Sequence, residues 1–160
     1  MQNGNVRDEH FRAVSTPVYF STAFRHEEIG LLSGYDYTRT GNPTRDVLEK
    51  SVALLEKGER AFATSSGMSA IQLVFSLFEK DDHIIASRDI YGGSYRLFEI
   101  FEAKYGLTFS YWDGESFDEL KGFIHERTKA TFIETPTNPL MKETDIAQVS
   151  AITKHHELLC

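Results

Sequence analysis

His83-Ile84-Ile85-Ala86-Ser87, then Tyr91-Gly92-Gly93-Ser94-Tyr95, then Leu107-Thr108-Phe109-Ser110-Tyr111-Trp112 form the stretch that decides the fold. The first segment is a short apolar run with β-branched residues, which suits a strand. From Gly93 to Lys104, the rings of Tyr95, Phe98 and Phe101 recur every third residue and share one helix face. Gly106 follows as a terminator, and Leu107–Trp112 resumes an extended pattern. Strand, helix, strand over this length is a βαβ unit with a parallel pair.

The same alternation extends in both directions. Upstream, Asn42-Pro43 supplies a helix cap and a first-turn proline. Leu48, Val52 and Leu55 then fall on one helix face, and Gly58 ends the helix. Arg60–Thr64 reads as a short strand. Gly67–Phe78 reads as a helix with Met68, Ile71, Val74, Phe75 and Phe78 on its buried side. It is apolar nearly all round and is predicted to lie deep. Downstream, Ser116 and Glu119 form a capping box for a helix to about Arg127. Lys129–Glu134 reads as a strand, and Asp145 caps a helix to about His156. Leu158-Leu159-Cys160 begins one more strand. The fold class is therefore α/β, a mainly parallel sheet with helices on both faces. Residues 1 to about 33 are polar and irregular, with a short extended run at Val18-Tyr19-Phe20, and read as an arm that need not fold on itself. A domain boundary belongs in an exposed linker, not inside a strand. The three-residue last strand thus predicts a chain cut from a longer one.

Composition narrows the function classes. At 160 residues, with 41% hydrophobic and 26% charged residues, the chain suits one ordinary folded domain or part of a larger one. A net charge of −7 argues against a general binder of nucleic acid or anionic membranes. The lone Cys160 excludes an internal disulfide and fits a reducing cytoplasm. Met1–Val6 is polar and shows no secretory signal, and no apolar run reaches membrane-spanning length. His10, His26, His83 and His125 are scattered, and His155 and His156 are adjacent, so no metal-ligand spacing stands out.

Four strings have chemical character. Ser65-Ser66-Gly67-Met68 stands where a strand gives way to an apolar helix. Free N–H groups and the positive end of the helix dipole favour a phosphate there, and Gly67 allows close approach. The plainer reading is a serine-capped helix start. Tyr91 before Gly92-Gly93 offers a ring that can lie flat on a planar ligand, or a core tyrosine beside a flexible turn. Glu134 and Asn138 flank Pro136 at the end of a strand, the edge where open α/β sheets place ligands. A turn rich in proline and asparagine is the alternative. Tyr37-Thr38-Arg39-Thr40-Gly41-Asn42-Pro43-Thr44 lies ahead of the first helix, where Tyr37 and Arg39 would otherwise be solvated loop residues.

The order and spacing of these strings resemble the Cys/Met-metabolism family of pyridoxal-phosphate (PLP) enzymes, from about Val14 to Cys160. The resemblance implies the N-terminal arm and first part of the large PLP-binding domain of the fold-type I, aspartate aminotransferase-like architecture. It divides the chain into an arm over residues 1–41 that contacts a neighbouring subunit and an incomplete PLP-binding domain over 42–160. In that family the residues matching Ser66, Gly67 and Met68 hold the cofactor phosphate. The match to Tyr91 stacks on the pyridine ring and assists proton traffic at the leaving group. The match to Asn138 donates to the phenolic oxygen. A guanidinium fork and a phenol suit a phosphate dianion, and the matches to Tyr37 and Arg39 reach the phosphate of a neighbouring subunit. Asp36 is placed at the substrate mouth, Arg96 toward a distal substrate carboxylate, and Glu134 beside the substrate as a supporting carboxylate.

The resemblance also implies an activity of the cystathionine γ-synthase/O-acetylhomoserine thiol-lyase type, with cystathionine β- or γ-lyase as the alternative. It implies a cytoplasmic homo-oligomer, a dimer of dimers, acting on an amino acid such as an O-acyl-homoserine or cystathionine. The chain holds no candidate for the family's Schiff-base lysine, for the aspartate that pairs with the pyridine nitrogen, or for the arginine that binds the substrate α-carboxylate. Alone it is expected not to catalyse. A second reading is a natural short form that acts as a non-catalytic interaction protein. An unrelated nucleotide-binding domain is disfavoured, because neither a Gly-Lys-Ser/Thr phosphate loop nor a Gly-x-Gly-x-x-Gly turn is present.

Overall fold

A computed structural model describes residues 11–26, 28, 30, 31 and 34–160. The readings placed on Met1–Val6 and on His10 lie outside the described residues. Among the described residues eight elements follow in order: α1 (Pro43–Leu55), α2 (Gly67–Phe75), β1 (His83–Ser87), α3 (Gly92–Tyr105), β2 (Thr108–Trp112), α4 (Phe117–Gly122), β3 (Thr128–Phe132) and α5 (Ile146–His155). The chain divides into two compact units, Met1–Ser65 and Ser66–Cys160.

In the second unit, β1 is buried along its whole length and pairs in parallel with β2 on one side and β3 on the other. The strand order is β2-β1-β3. Beyond β3, Leu159 makes a parallel bridge to Ala130, so the strand expected at Leu158–Cys160 has begun to pair. Alternation along β1 sorts the core into two layers. Ile84 and Ala86 pack with Phe75, Phe98, Phe101 and Leu107, which places α2 and α3 on one face. Ile85 packs with Trp112, Leu120 and Val149, which places α4 and α5 on the other. The expectation of a parallel sheet between two helix layers holds. Phe75 is the centre of the first layer, with ring centroids 4.7 Å from Phe98 and 5.4 Å from Phe101.

The caps follow from the residue types. Ser66 accepts the N–H of Ser69, Ser116 that of Glu119, and Asp145 that of Gln148. At the other end of α3, Gly106 adopts φ 71°, a left-handed conformation that glycine adopts without penalty. Two helices stop early. α2 ends at Phe75 rather than Phe78, and α4 at Gly122 rather than Arg127. α2 also lies less deep than its composition predicts: only Phe75 is fully buried, and Val74 stays half-exposed. One helix face meets α3 and the sheet, and composition alone does not say how many faces are covered.

In the first unit, Asn42 caps α1 by accepting the N–H of Thr44, and its amide donates to Tyr19 O and Thr38 Oγ1. Residues 22–24 pair with residues 36–38. Phe24 N–H donates to Asp36 O, Thr38 N–H to Thr22 O, and Ala23 bridges Tyr37 in antiparallel fashion. Val18–Phe20 forms no strand, although Tyr19 N–H donates to Thr44 Oγ1. Arg60–Thr64 makes no ladder among the described residues, and so is not the strand expected. An extended segment becomes a strand only when a neighbour satisfies its backbone groups. Leu48, Val52 and Leu55 share a face as predicted, but that face is exposed.

Candidate functional site

β1 and β3 are neighbours, yet the chain leaves them toward opposite faces. α3 follows β1 on the Phe75 side, and α5 follows β3 on the Trp112 side. The C-terminal ends of β1 and β3 therefore flank a topological switch point, the crevice where open α/β sheets bind ligands. The loop after β1 carries Tyr91, and the loop after β3 carries Glu134 and Asn138. α2, with Ser66, Gly67 and Met68 at its N-terminus, leads into the start of β1 through residues 76–82.

At that N-terminus the Ser66 side chain accepts from Ser69 N–H at 3.1 Å, and Ser66 O accepts from Ala70 N–H at 3.0 Å. The N–H groups of Gly67 and Met68 have no acceptor among the described residues. A Cβ added at Gly67 would meet nothing within 4 Å. Two unengaged donors, the positive end of a nine-residue helix and open space above a glycine fit a phosphate group.

Tyr91 is the N-cap residue of α3 and makes no side-chain cap bond. Its ring lies over Gly93, where an added Cβ would stand only 2.3 Å from Cε1. The glycine is thus required by the ring. The phenol is about half exposed (48%), as a ring presented to a ligand must be. Tyr91 N–H donates to Glu134 Oε2 at 3.1 Å, and Glu134 N–H donates to Ser87 Oγ at the end of β1 at 3.1 Å. Arg96 is exposed and lies back along the first turn of α3, its Nη1 3.5 Å from where a Gly92 Cβ would be. It makes no ion pair among the described residues. Asn138 is exposed, and its side chain makes no hydrogen bond among the described residues.

The 135–144 loop is held by side chains outside the predicted set. Asp89 Oδ2 accepts from Thr137 Oγ1 at 2.5 Å and from Leu140 N–H at 3.1 Å. Thr137 Oγ1 in turn accepts from Lys142 N–H at 2.9 Å, and Thr135 Oγ1 from Thr144 N–H at 3.0 Å. Glu115 bonds the Lys142 ammonium at 2.9 Å and raises its pKa. Sequence reasoning missed Ser87, Asp89 and Thr137. The available signal was a short polar residue two positions before Tyr91 and another directly before Asn138.

In the first unit, Arg39 and Tyr37 form a ready pair. Arg39 Nη2 donates to Tyr37 Oη at 3.0 Å, and the guanidinium carbon lies 5.2 Å from the ring centroid. Asp36 is occupied by His26 Nε2 at 2.9 Å, on an exposed surface. The predicted residues thus fall into two groups: Asp36, Tyr37 and Arg39 in one unit, and Ser66, Gly67, Met68, Tyr91, Arg96, Glu134 and Asn138 in the other. Among the described residues no cluster of three or more His, Cys, Asp or Glu could hold a metal ion, and no helix is long and apolar enough to cross a membrane.

Known proteins similar to this chain share a family and a fold with it. Cystathionine gamma-synthase/O-acetylhomoserine (thiol)-lyase of Bacillus subtilis is 54% identical over 158 residues, 99% of this chain and 42% of that protein. Cystathionine beta-lyase of Lactococcus lactis subsp. cremoris is 42% identical over 159 residues, again 99% of this chain and 42% of that protein. The crystal structure of cystathionine gamma-lyase from Lactobacillus plantarum, complexed with L-serine, superposes with a TM-score of 0.92 at 43% identity, covering 98% of this chain and 41% of that one. The chain therefore spans about two-fifths of the length of these proteins. Residues 1–160 match the family described as Cys/Met metabolism PLP-dependent enzyme, a fold-type I family whose cofactor is pyridoxal phosphate, and the chain belongs to it.

Proposed function

We propose that this chain supplies the phosphate cradle, ring platform and phenolic-oxygen contact of a PLP site in a trans-sulfuration enzyme. The observation that carries the reading is the open N-terminus of α2, where Gly67 and Met68 offer two unengaged N–H groups beside empty space. Ser66 keeps the turn in place through its bond to Ser69. Tyr91 offers one ring face to the pyridine, and Asn138 offers an amide donor to the phenolic oxygen. When bound, pyridoxal phosphate supplies an electron sink for bond breaking at the α carbon of an amino acid. Tyr91 is the candidate for moving a proton at the leaving group. Tyr37 and Arg39, already bonded to each other, are a phenol and guanidinium fork for the phosphate of a neighbouring subunit. Asp36 and Arg96 are the candidates for substrate contact, Arg96 toward a distal carboxylate, with Glu134 supporting them. The exposed apolar face of α1 at Leu48, Val52 and Leu55 favours burial against another protein surface, in a homo-oligomer built as a dimer of dimers.

The reaction class follows the relatives: replacement or elimination of a sulfur-bearing group on an amino acid, of the cystathionine γ-synthase/O-acetylhomoserine thiol-lyase type, in the cytoplasm. The alternative is cystathionine β- or γ-lyase. The cofactor lysine is supplied from outside these 160 residues, so the chain alone is expected to be inactive. Titration with pyridoxine 5′-phosphate, which lacks the reactive aldehyde, followed by NMR of the Gly67 and Met68 amides, tests the cradle. Those amides are expected to shift in a saturable way. Gly67→Val is expected to fold normally, since its side chain enters open space, and to lose the binding. Equal binding by both proteins would remove the phosphate from this turn.

A further inference from the structure

We infer that Asp89 is a positioning residue for the cofactor site, one half of a reciprocal clamp across the switch-point crevice whose other half is Glu134. Each carboxylate belongs to one loop and holds the backbone of the other. Asp89, in the loop after β1, accepts from Thr137 Oγ1 at 2.5 Å and Leu140 N–H at 3.1 Å in the loop after β3. These two partners bracket Asn138. Glu134, at the root of the loop after β3, accepts from Tyr91 N–H at 3.1 Å in the loop after β1. Ser87 closes the circuit by accepting Glu134 N–H at 3.1 Å, which ties the carboxylate-bearing residue to the end of β1.

The strands cannot do this work. β1 and β3 pair only as far as Ala86 and Phe132. Beyond that point the chain turns to opposite faces, and no backbone ladder fixes Tyr91 relative to Asn138. Charge-assisted bonds to main-chain N–H groups are among the stronger ones available. Thr137 is only 4% exposed, so its hydroxyl is shielded from competing water. It is also fully engaged, donating to Asp89 while accepting from Lys142 N–H at 2.9 Å. The result is a fixed spacing between a ring that covers a planar ligand and an amide that meets its edge. A ligand contact placed about 1 Å wrong loses much of its value.

The inference rests on the proposed function of Tyr91 and Asn138, and its test separates the two. Amide hydrogen exchange is measured by NMR in the 160-residue chain and in Asp89→Ala, Asp89→Asn and Glu134→Ala. In Asp89→Ala, exchange is expected to rise about tenfold at Leu140 and also at Tyr91, on the far loop. Glu134→Ala is expected to do the reverse, and it stands in should Asp89→Ala fail to fold. Asp89→Asn places an amide oxygen where Oδ2 accepts both bonds, and is expected to restore most of the protection. Pyridoxine 5′-phosphate is then titrated into each protein. Asp89→Ala is expected to bind about tenfold more weakly. Its Gly67 amide should still shift at saturation, while the Tyr91 ring and Asn138 amide no longer respond together. A purely structural loss would weaken all of these signals alike. Exchange that changes only at the mutated bond overturns the clamp, and so does unaltered affinity in Asp89→Ala. If the unsubstituted chain binds no probe, the proposed function falls. The exchange result still decides the clamp: coupled loss upholds it and uncoupled loss overturns it.

Discussion

Lowering the pH from 7.5 to 5 should destabilise this chain through one buried imidazole. His83 opens β1 and is 4% exposed. Thr128 Oγ1 accepts the main-chain N–H of His125 at 2.9 Å and lies 2.9 Å from His83 Nδ1. The other ring nitrogen, Nε2, lies 2.9 Å from Ser110 Oγ. The ring stacks on His125 with centroids 4.4 Å apart. Burial first, and then the charge of His125, push the His83 pKa from 6.5 down to about 4. The unfolded chain therefore binds a proton below pH 6.5 that the folded chain refuses until about pH 4. Stability is complete above pH 6.5, falls as the pH drops between the two values, and is flat below. At pH 5, about 1.5 pH units into that window, the loss is about 2 kcal/mol. The buried Trp112, the chain's single tryptophan, reports unfolding of the same unit. Urea midpoints followed by its fluorescence should fall by about 1 M between pH 7.5 and 5. Carboxylates also titrate near the bottom of this range, so the decisive quantity is the comparison with His83→Gln. That variant is less stable at pH 7.5 but should lose little more on acidification. Equal losses in the two proteins would show that His83 is not held neutral by this environment.

Three further outcomes follow from the geometry. Phe75→Ala removes the ring at the centre of the α2–α3 layer, 1% exposed and in contact with Phe78, Phe98, Phe101, Phe109 and Phe132, and should cost about 3–5 kcal/mol in denaturant unfolding. Asn42→Ala removes the α1 cap and two amide bonds to the arm, and should destabilise the first unit by about 1–2 kcal/mol, read as loss of helical circular dichroism at lower temperature. Gly93→Ala puts a methyl group 2.3 Å from Tyr91 Cε1 and should displace the ring, seen as changed Tyr91 ring shifts with β1 resonances unmoved.

The parts that were legible in the sequence are those whose partners are close along the chain. β1 was read at its true limits because five consecutive residues of suitable character are buried on both faces. The caps at Asn42, Ser66, Ser116 and Asp145 were legible because a cap side chain bonds a main-chain group two or three residues away. Burial failed where it depends on what arrives from elsewhere. Leu48, Val52 and Leu55 recur with helical spacing, and spacing identifies a face without saying whether this chain covers it. Arg60–Thr64 has strand character without a ladder, because strand character is local and pairing is not.

The candidate site divides along the same line. Tyr91, Gly67 and Asn138 stand in short strings whose residue types suggest a ligand by themselves. Asp89 does not, because its meaning lies in Thr137 and Leu140, 48 and 51 residues away. An aspartate in a turn is ordinary until the topology that brings β1 beside β3 gives its carboxylate a backbone to hold. Candidates for the contacting groups of such a site can be named from sequence, whereas the groups that fix their spacing become visible only when the sheet order is known. Substitutions at Tyr91 and Asp89 should accordingly differ in kind: the first removes a surface for the ligand, and the second leaves every contacting group present but uncoupled.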